Sequence, residues 1–350
     1  MKAFISNLKE RIFTGGEILF NEAMKLAEIA DEQSFHLLLE TAHDITSRFC
    51  PKEPDLCSLI NAKSYLCGED CKFCAQSSKY QTGVHRYPLI TVDEALGKAK
   101  LFEKEGVKTV CLVTSGGTLS EKEYEQVLRM IEAIKKETRM EVDGSLGFLS
   151  IEQVKRLRET GLRRINNNLQ CSKEFYPEIV STHRYEKRLE TMDNLQEGGI
   201  EICSGGIFNL GESREDRIRM AFELKPFRPK CLPINILNPR PGTPLENQPR
   251  MDPKEILKTV AVYRFIHPTA NIKLAGGREV NLSLEEQALA LRGGANGLVV
   301  CGYLTTAGNP LEEDMVLLRQ AGFDTARHPR ACGHAGETQA IHHSIGLSTS

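Results

Sequence analysis

No apolar run in this sequence approaches the roughly 20 residues of a membrane-spanning helix, and tryptophan is absent. The opening stretch, MKAFISNLKERIFTGGEILF, is broken by charges and has no apolar h-region, so it does not read as a secretory signal. Excess positive charge is also missing. Lys and Arg total 45 against 47 Asp and Glu, which leaves no basic field for nucleic acid. No internal repeat or low-complexity tract is found before residue 325. These absences point to a cytoplasmic protein that works neither at a membrane nor on nucleic acid. In that reducing compartment the eleven cysteines read as metal ligands or buried apolar groups rather than disulfides.

What is present is a sizeable core and a regular alternation. Hydrophobic residues make up 40% of the 350, enough for one α/β barrel. Residues 16–48 carry the period of two amphipathic helices. Beyond them, short apolar runs begin near Asp55, Lys108, Met140, Arg163, Ile200, Pro229, Asn271 and Asn296. Helical patterns lie between these runs. Thr91 with Glu94, and Ser150 with Gln153, form capping boxes, and Gly106 and Gly161 stand where those helices should stop. Eight strands, each followed by a helix, predict a (β/α)8 TIM-type barrel over residues 51–325. It would follow an N-terminal helical extension (residues 1–50) and precede a flexible tail (residues 326–350) that holds four histidines.

The segment CGEDCKFC places Cys67, Cys71 and Cys74 within eight positions, just after the first strand. Active sites of such barrels form at that end. A closed zinc site needs four ligands, usually from two knuckles, and no partner knuckle lies at a suitable distance. Three cysteines can instead hold a four-iron, four-sulfur (4Fe–4S) cluster with one iron left open. A zinc knuckle completed from afar and plain buried thiols are the alternatives. C-x3-C-x2-C with an aromatic, Phe73, before the last cysteine resembles the signature of the radical S-adenosylmethionine (SAM) superfamily. That resemblance implies SAM chelated at the open iron and a 5′-deoxyadenosyl radical that abstracts hydrogen from an unactivated C–H bond.

From about residue 50 to 325 the chain is similar to the biotin synthase family, which inserts sulfur into dethiobiotin. The resemblance rests on INNNLQCSKEFYPEI (165–179), THRYEKRLETM (182–192), ICSGGIFNLGES (202–213), LPINILNPRPGTPL (232–245), AGGRE (275–279) and YLTTAGNPLEED (303–314). Asn166 and Asn168 alternate along a strand and so share a face. By resemblance they meet the ureido ring of the substrate and, with Gln170, the SAM ribose. Arg188, otherwise a solvated helix charge, would pair with the SAM carboxylate. Gly205 and Gly206 would let backbone approach the adenosyl group, and Asn235 would hydrogen-bond the urea. A flavodoxin- or ferredoxin-type electron donor and a homodimer are further implications. Other radical SAM barrels, such as hydrogenase-maturation and methylornithine-forming enzymes, share the cysteine trio but lack the asparagine run.

The family also carries an auxiliary iron–sulfur cluster, held by three cysteines and an arginine, as the sulfur source. Cys111, Cys203 and Arg278 match that pattern, with Arg278 expected on the seventh strand. The third cysteine does not match, because Asp143 stands in its place. Cys57 on strand 1 and Cys231 on strand 6 share the inward parity and a similar depth. The expectation is therefore a relocated auxiliary cluster on Cys57, Cys111, Cys203 and Cys231 with Arg278 nearby. Four thiolates suit a four-iron form rather than a two-iron one. The alternative is that Cys57 and Cys231 are ordinary core residues.

Overall fold

A computed structural model realises the alternation read from the sequence and describes residues 1–326 apart from Leu66. The strands are β1 (Asp55–Lys63), β2 (Thr109–Thr114), β3 (Glu141–Ser145), β4 (Arg164–Asn166), β5 (Glu201–Cys203), β6 (Gly206–Phe208), β7 (Cys231–Ile236), β8 (Asn271–Leu274) and β9 (Gly297–Val299). They run in the order β5-β4-β3-β2-β1-β9-β8-β7-β6, and a pairing between β5 and β7 closes the ring. The result is a parallel (β/α)8 barrel.

The fifth of the eight expected strands is broken in two, which accounts for the ninth segment. At the break the Ser204 N–H still reaches the Cys231 carbonyl at 2.9 Å, but the Gly205 N–H turns to Asn168 Oδ1 at 3.1 Å. An amide side chain thus takes a ladder hydrogen bond and ends β5. Gly205 has no room for a side chain there, since a Cβ would lie 2.0 Å from the Pro233 carbonyl oxygen.

Three helices precede the barrel: α1 (Lys2–Phe13), α2 (Phe20–Ala27) and α3 (Glu32–Phe49). The last two are those expected. The first escaped notice because its charges interrupt a narrow apolar stripe of Ile5, Leu8 and Ile12, all of which are buried. The barrel helices are α4 (Val92–Lys104), α5 (Glu121–Glu137), α6 (Ile151–Glu159), α7 (Tyr176–Ile179), α8 (Tyr185–Gly198), α9 (Arg214–Leu224), α10 (Pro253–Ile266), α11 (Arg278–Asn281), α12 (Leu284–Arg292) and α13 (Leu311–Gln320). Both expected capping boxes form, and Gly106 and Gly161 follow their helices with φ of +79° and +84°. Among the described residues no helix is long and apolar enough to cross a membrane. The expected tail from Arg327 onward, with Cys332, His334, His342 and His343, lies outside the described residues.

Candidate active site

The loop after β1 is held by its own backbone. Cys74 N–H reaches the Cys71 carbonyl at 2.9 Å, and Ser78 N–H the Cys67 carbonyl at 2.8 Å. Asp70 pins it to the segment before α8, accepting from the Ser181 and Thr182 N–H groups at 2.9 and 3.1 Å. Burial pushes the Cys71 thiol up to about 12 and the Cys74 thiol to about 11. Any cation that binds here must displace the protons that burial holds on these sulfurs.

Arg188 of α8 faces this loop. Its Nε donates to the Tyr176 hydroxyl at 2.6 Å, and the guanidinium lies over the Phe148 and Tyr176 rings at 5.7 and 5.8 Å. The same hydroxyl meets His183 Nε2 at 2.8 Å, and His183 Nδ1 meets Glu69 Oε2 at 2.7 Å. Glu69 lies between Cys67 and Cys71, so this chain of contacts ties Arg188 to the trio. No carboxylate among the described residues pairs with Arg188, whose outer nitrogens have only a 3.5 Å contact from Nη2 to His183 Nε2 and could take an anion.

Beneath the loop a cavity of about 300 Å³ runs into the barrel. Phe73 and Cys74 line its mouth. Asn166, Asn168, Gln170 and Asn235 line its middle, and Cys57, Cys111, Cys203, Asp143 and Lys273 line its base. Asn166 Nδ2 donates to Asn168 Oδ1 at 3.0 Å and to Cys203 Sγ at 3.3 Å. The intervening Asn167 points away and donates to the Arg188 carbonyl at 2.8 Å. Gln170, in a left-handed conformation at φ +77°, has a buried Oε1 without a partner. A buried orphan acceptor is costly unless something fills the cavity. Asn235 is engaged at both ends, with the Gly206 carbonyl and the Gly276 N–H, each at 3.1 Å. Gly205 and Gly206 do not line the cavity. A Cβ on Gly206 would lie 2.6 Å from the Gln170 carbonyl oxygen, so both glycines let other backbone approach closely.

Three thiols, of Cys57, Cys111 and Cys203, line the base, and a fourth, of Cys231, is buried next to Cys203 without lining the cavity. Cys57 and Cys111 pack together on β1 and β2. Cys203 and Cys231 are register partners, and a hydrogen bond from Cys203 to Cys231 pushes the first thiol up and holds the second down. Burial pushes Cys57 up to about 12. Asp143, at the expected third-cysteine position, is already claimed by the Nε and Nη2 of Arg163, both at 3.0 Å.

Arg278 stands apart from these thiols. It begins α11 rather than lying on a strand, and its Nη2 binds both Asp314 oxygens at 2.8 and 2.7 Å. Its other nitrogens meet Gln287 at 2.5 Å and Tyr303 at 3.0 Å. Every edge of the guanidinium is spent on closing the barrel wall. The cation that does reach the cavity is Lys273 on β8. Its sequence signal was a lysine at alternate spacing inside the short apolar run NIKL, an inward position on a barrel strand.

A three-cysteine loop thus lies beside Arg188, and thiols sit below a lane of amides, though among the described residues no three His, Cys, Asp or Glu side chains converge as a metal site. Residues 62–224 match the Radical SAM superfamily, and residues 233–324 match the Biotin and Thiamin Synthesis associated domain. The biotin synthase of Clostridium tetani is 41% identical over 323 residues, 92% of this chain and 99% of that one. That of Acetivibrio thermocellus is 43% identical over 324 residues, with the same shares covered. Among solved structures, the FeFe-hydrogenase maturase HydG from Carboxydothermus hydrogenoformans superposes with a TM-score of 0.79 at 17% identity, covering 98% of this chain and 89% of its own. A methylornithine synthase does so with a TM-score of 0.72 at 17% identity, covering 98% and 97%. These two share the fold.

Proposed function

This chain belongs to the biotin synthase family of radical SAM enzymes, and on that premise we propose how its own residues divide the work of inserting sulfur into dethiobiotin. Cys67, Cys71 and Cys74 hold the first cluster. Cys57, Cys111, Cys203 and Cys231 hold the auxiliary cluster that is the sulfur source. When bound, a 4Fe–4S cluster with SAM would supply the 5′-deoxyadenosyl radical, and an auxiliary cluster would supply sulfur.

The chain's own residues bind, orient and shield. Arg188, steadied by Tyr176, receives the SAM carboxylate. Asn166, Asn168 and Gln170 offer amide groups to the ureido ring and the ribose, and the unpartnered Gln170 Oε1 is the acceptor best placed to gain a donor. Asn235 braces the wall through its two backbone contacts. The barrel keeps water from the reacting carbons. An electron carrier of the flavodoxin or ferredoxin kind supplies the electron.

The observation that carries this reading is a single cavity with a trio cysteine, Cys74, at its mouth, amides along its side, and Cys57, Cys111 and Cys203 at its base. The test is anaerobic reconstitution with iron and sulfide, followed by incubation with dethiobiotin, SAM and a reductant. Biotin should form together with 5′-deoxyadenosine. SAM cleavage without biotin would leave a radical SAM enzyme of another specificity, and zinc in place of iron would end the assignment.

A further inference from the structure

Glu69, His183, Tyr176 and Arg188 form a chain whose two ends fix its sense. An ionised carboxylate only accepts hydrogen bonds, and a guanidinium only donates them. His183 Nδ1 lies 2.7 Å from Glu69 Oε2, so Nδ1 carries the hydrogen. Two donors converge on the other ring nitrogen, the Tyr176 hydroxyl at 2.8 Å and Arg188 Nη2 at 3.5 Å. Nε2 is therefore bare and accepts. The setting favours a neutral ring. Burial lowers His183 below its ordinary value and the Arg188 charge adds to this, against the pull of Glu69 and Asp70. With its proton given to Nε2, the Tyr176 oxygen turns a lone pair to Arg188 Nε at 2.6 Å.

The surroundings hold this order in place. The His183 side chain is nearly buried, with its ring edge-on to Phe148 at 5.0 Å and to Tyr176 at 5.9 Å. The Thr182 hydroxyl also donates to Glu69. Gly117, after β2, leaves space for the carboxylate: a Cβ there would fall 2.5 Å from Glu69 Oε1. Glu69 sits between Cys67 and Cys71, so the chain sets Arg188 from the loop that carries the trio. The backbone of Arg188 is held separately, by Asn167. His183 joins the loop to the guanidinium from the middle.

We propose that His183 positions Arg188 for the SAM carboxylate: Glu69 selects the tautomer with a bare Nε2, Nε2 orders the Tyr176 hydroxyl, and Tyr176 fixes the guanidinium through Nε, which leaves the outer nitrogens for the carboxylate. His183 is a positioning residue and acts through Tyr176 and Arg188. A fork that is already oriented loses less freedom on taking up a carboxylate, so the gain is read as SAM affinity. This inference rests on the reading that Arg188 receives the SAM carboxylate.

The test uses the full chain reconstituted with iron and sulfide, and compares binding of SAM with that of decarboxylated SAM, in which hydrogen replaces the carboxylate. His183→Phe keeps a ring but removes both nitrogens. It should weaken SAM binding about fivefold, the scale of one hydrogen bond, and leave binding of decarboxylated SAM as it was. His183→Gln, which restores an acceptor, should recover part of the loss. In a Tyr176→Phe background His183→Phe should add nothing, because the chain is already broken. Gly117→Ala displaces Glu69 without altering His183 and should show the same selective loss, which carries the test if the phenylalanine variant does not fold. Unchanged SAM affinity in both His183→Phe and Gly117→Ala would overturn the proposal, as would an equal loss for the two ligands. Arg188→Ala is measured alongside. If it too keeps full SAM affinity, the carboxylate reading itself fails, whereas a loss in Arg188→Ala alone refutes only the role of His183.

Discussion

Cys203 and Cys231 are the register pair that joins β5 to β7 and closes the barrel. The closure of the fold and the proposed sulfur source therefore meet at one place. Ser204, the next residue, sends its N–H to the Cys231 carbonyl. Two residues further on, Gly206 accepts from Asn235 at the wall of the cavity. The spacing of these thiols at the base is thus set by strand register, which a closed parallel barrel holds rigidly.

Arg188→Ala should weaken SAM binding by roughly 2 kcal/mol, about thirtyfold in Kd, since it removes one partner of a largely desolvated charge pair. Tyr176→Phe should weaken it less, because the guanidinium remains but loses its 2.6 Å contact. Equilibrium SAM binding to the reconstituted protein checks both, with iron content unchanged. Wild-type affinity in Arg188→Ala would return that residue to the solvated surface.

Arg278→Met should destabilise the fold by roughly 3–5 kcal/mol, the range for stranding one member of a buried pair, here Asp314. Urea unfolding of the apo chain measures it. The auxiliary iron of the folded fraction should match that of the unaltered protein, since Arg278 is spent on the wall.

The difference between Arg278 and Lys273 marks how far the sequence could be read. Strand positions, caps and the trio were legible because each follows from short-range periodicity or spacing. Cys57, Cys111, Cys203 and Cys231 were legible as inward positions because side chains alternate along a strand. Arg278 was misplaced because AGGRE leaves the strand: Gly277, at φ +83°, turns the chain into α11 and aims the guanidinium at Asp314, 36 residues away. The split of the fifth strand was hidden for a similar reason, since Asn168, 37 residues from Gly205, diverts the ladder. Gly205 and Gly206 are approached closely by the Pro233 and Gln170 carbonyls, on other segments, which spacing alone does not show.

Acid should destabilise the chain through His267. The ring is buried, its Nε2 lies 2.8 Å from the Ala221 carbonyl, and burial lowers it from 6.5 to about 4. Below pH 6.5 the unfolded chain takes up a proton that the folded chain refuses until about pH 4. The stability is therefore whole above pH 6.5 and falls by about 3 kcal/mol as pH drops toward 4. Urea unfolding of the apo chain at pH 7 and pH 5 should show this slope, and His267→Gln should flatten it. An equal slope in the variant would assign the acid sensitivity to other groups.

The most direct measurement follows the sulfur itself. The protein is reconstituted with iron and 34S-labelled sulfide, freed of excess sulfide, and given dethiobiotin, SAM and a reductant, and the biotin is weighed by mass spectrometry. The unaltered chain should yield 34S-labelled biotin. Cys57→Ala and Cys231→Ala should yield none while still forming 5′-deoxyadenosine at the first cluster. Labelled biotin at the normal level from both variants would show those cysteines to be core residues and would contradict the four-thiol sulfur source.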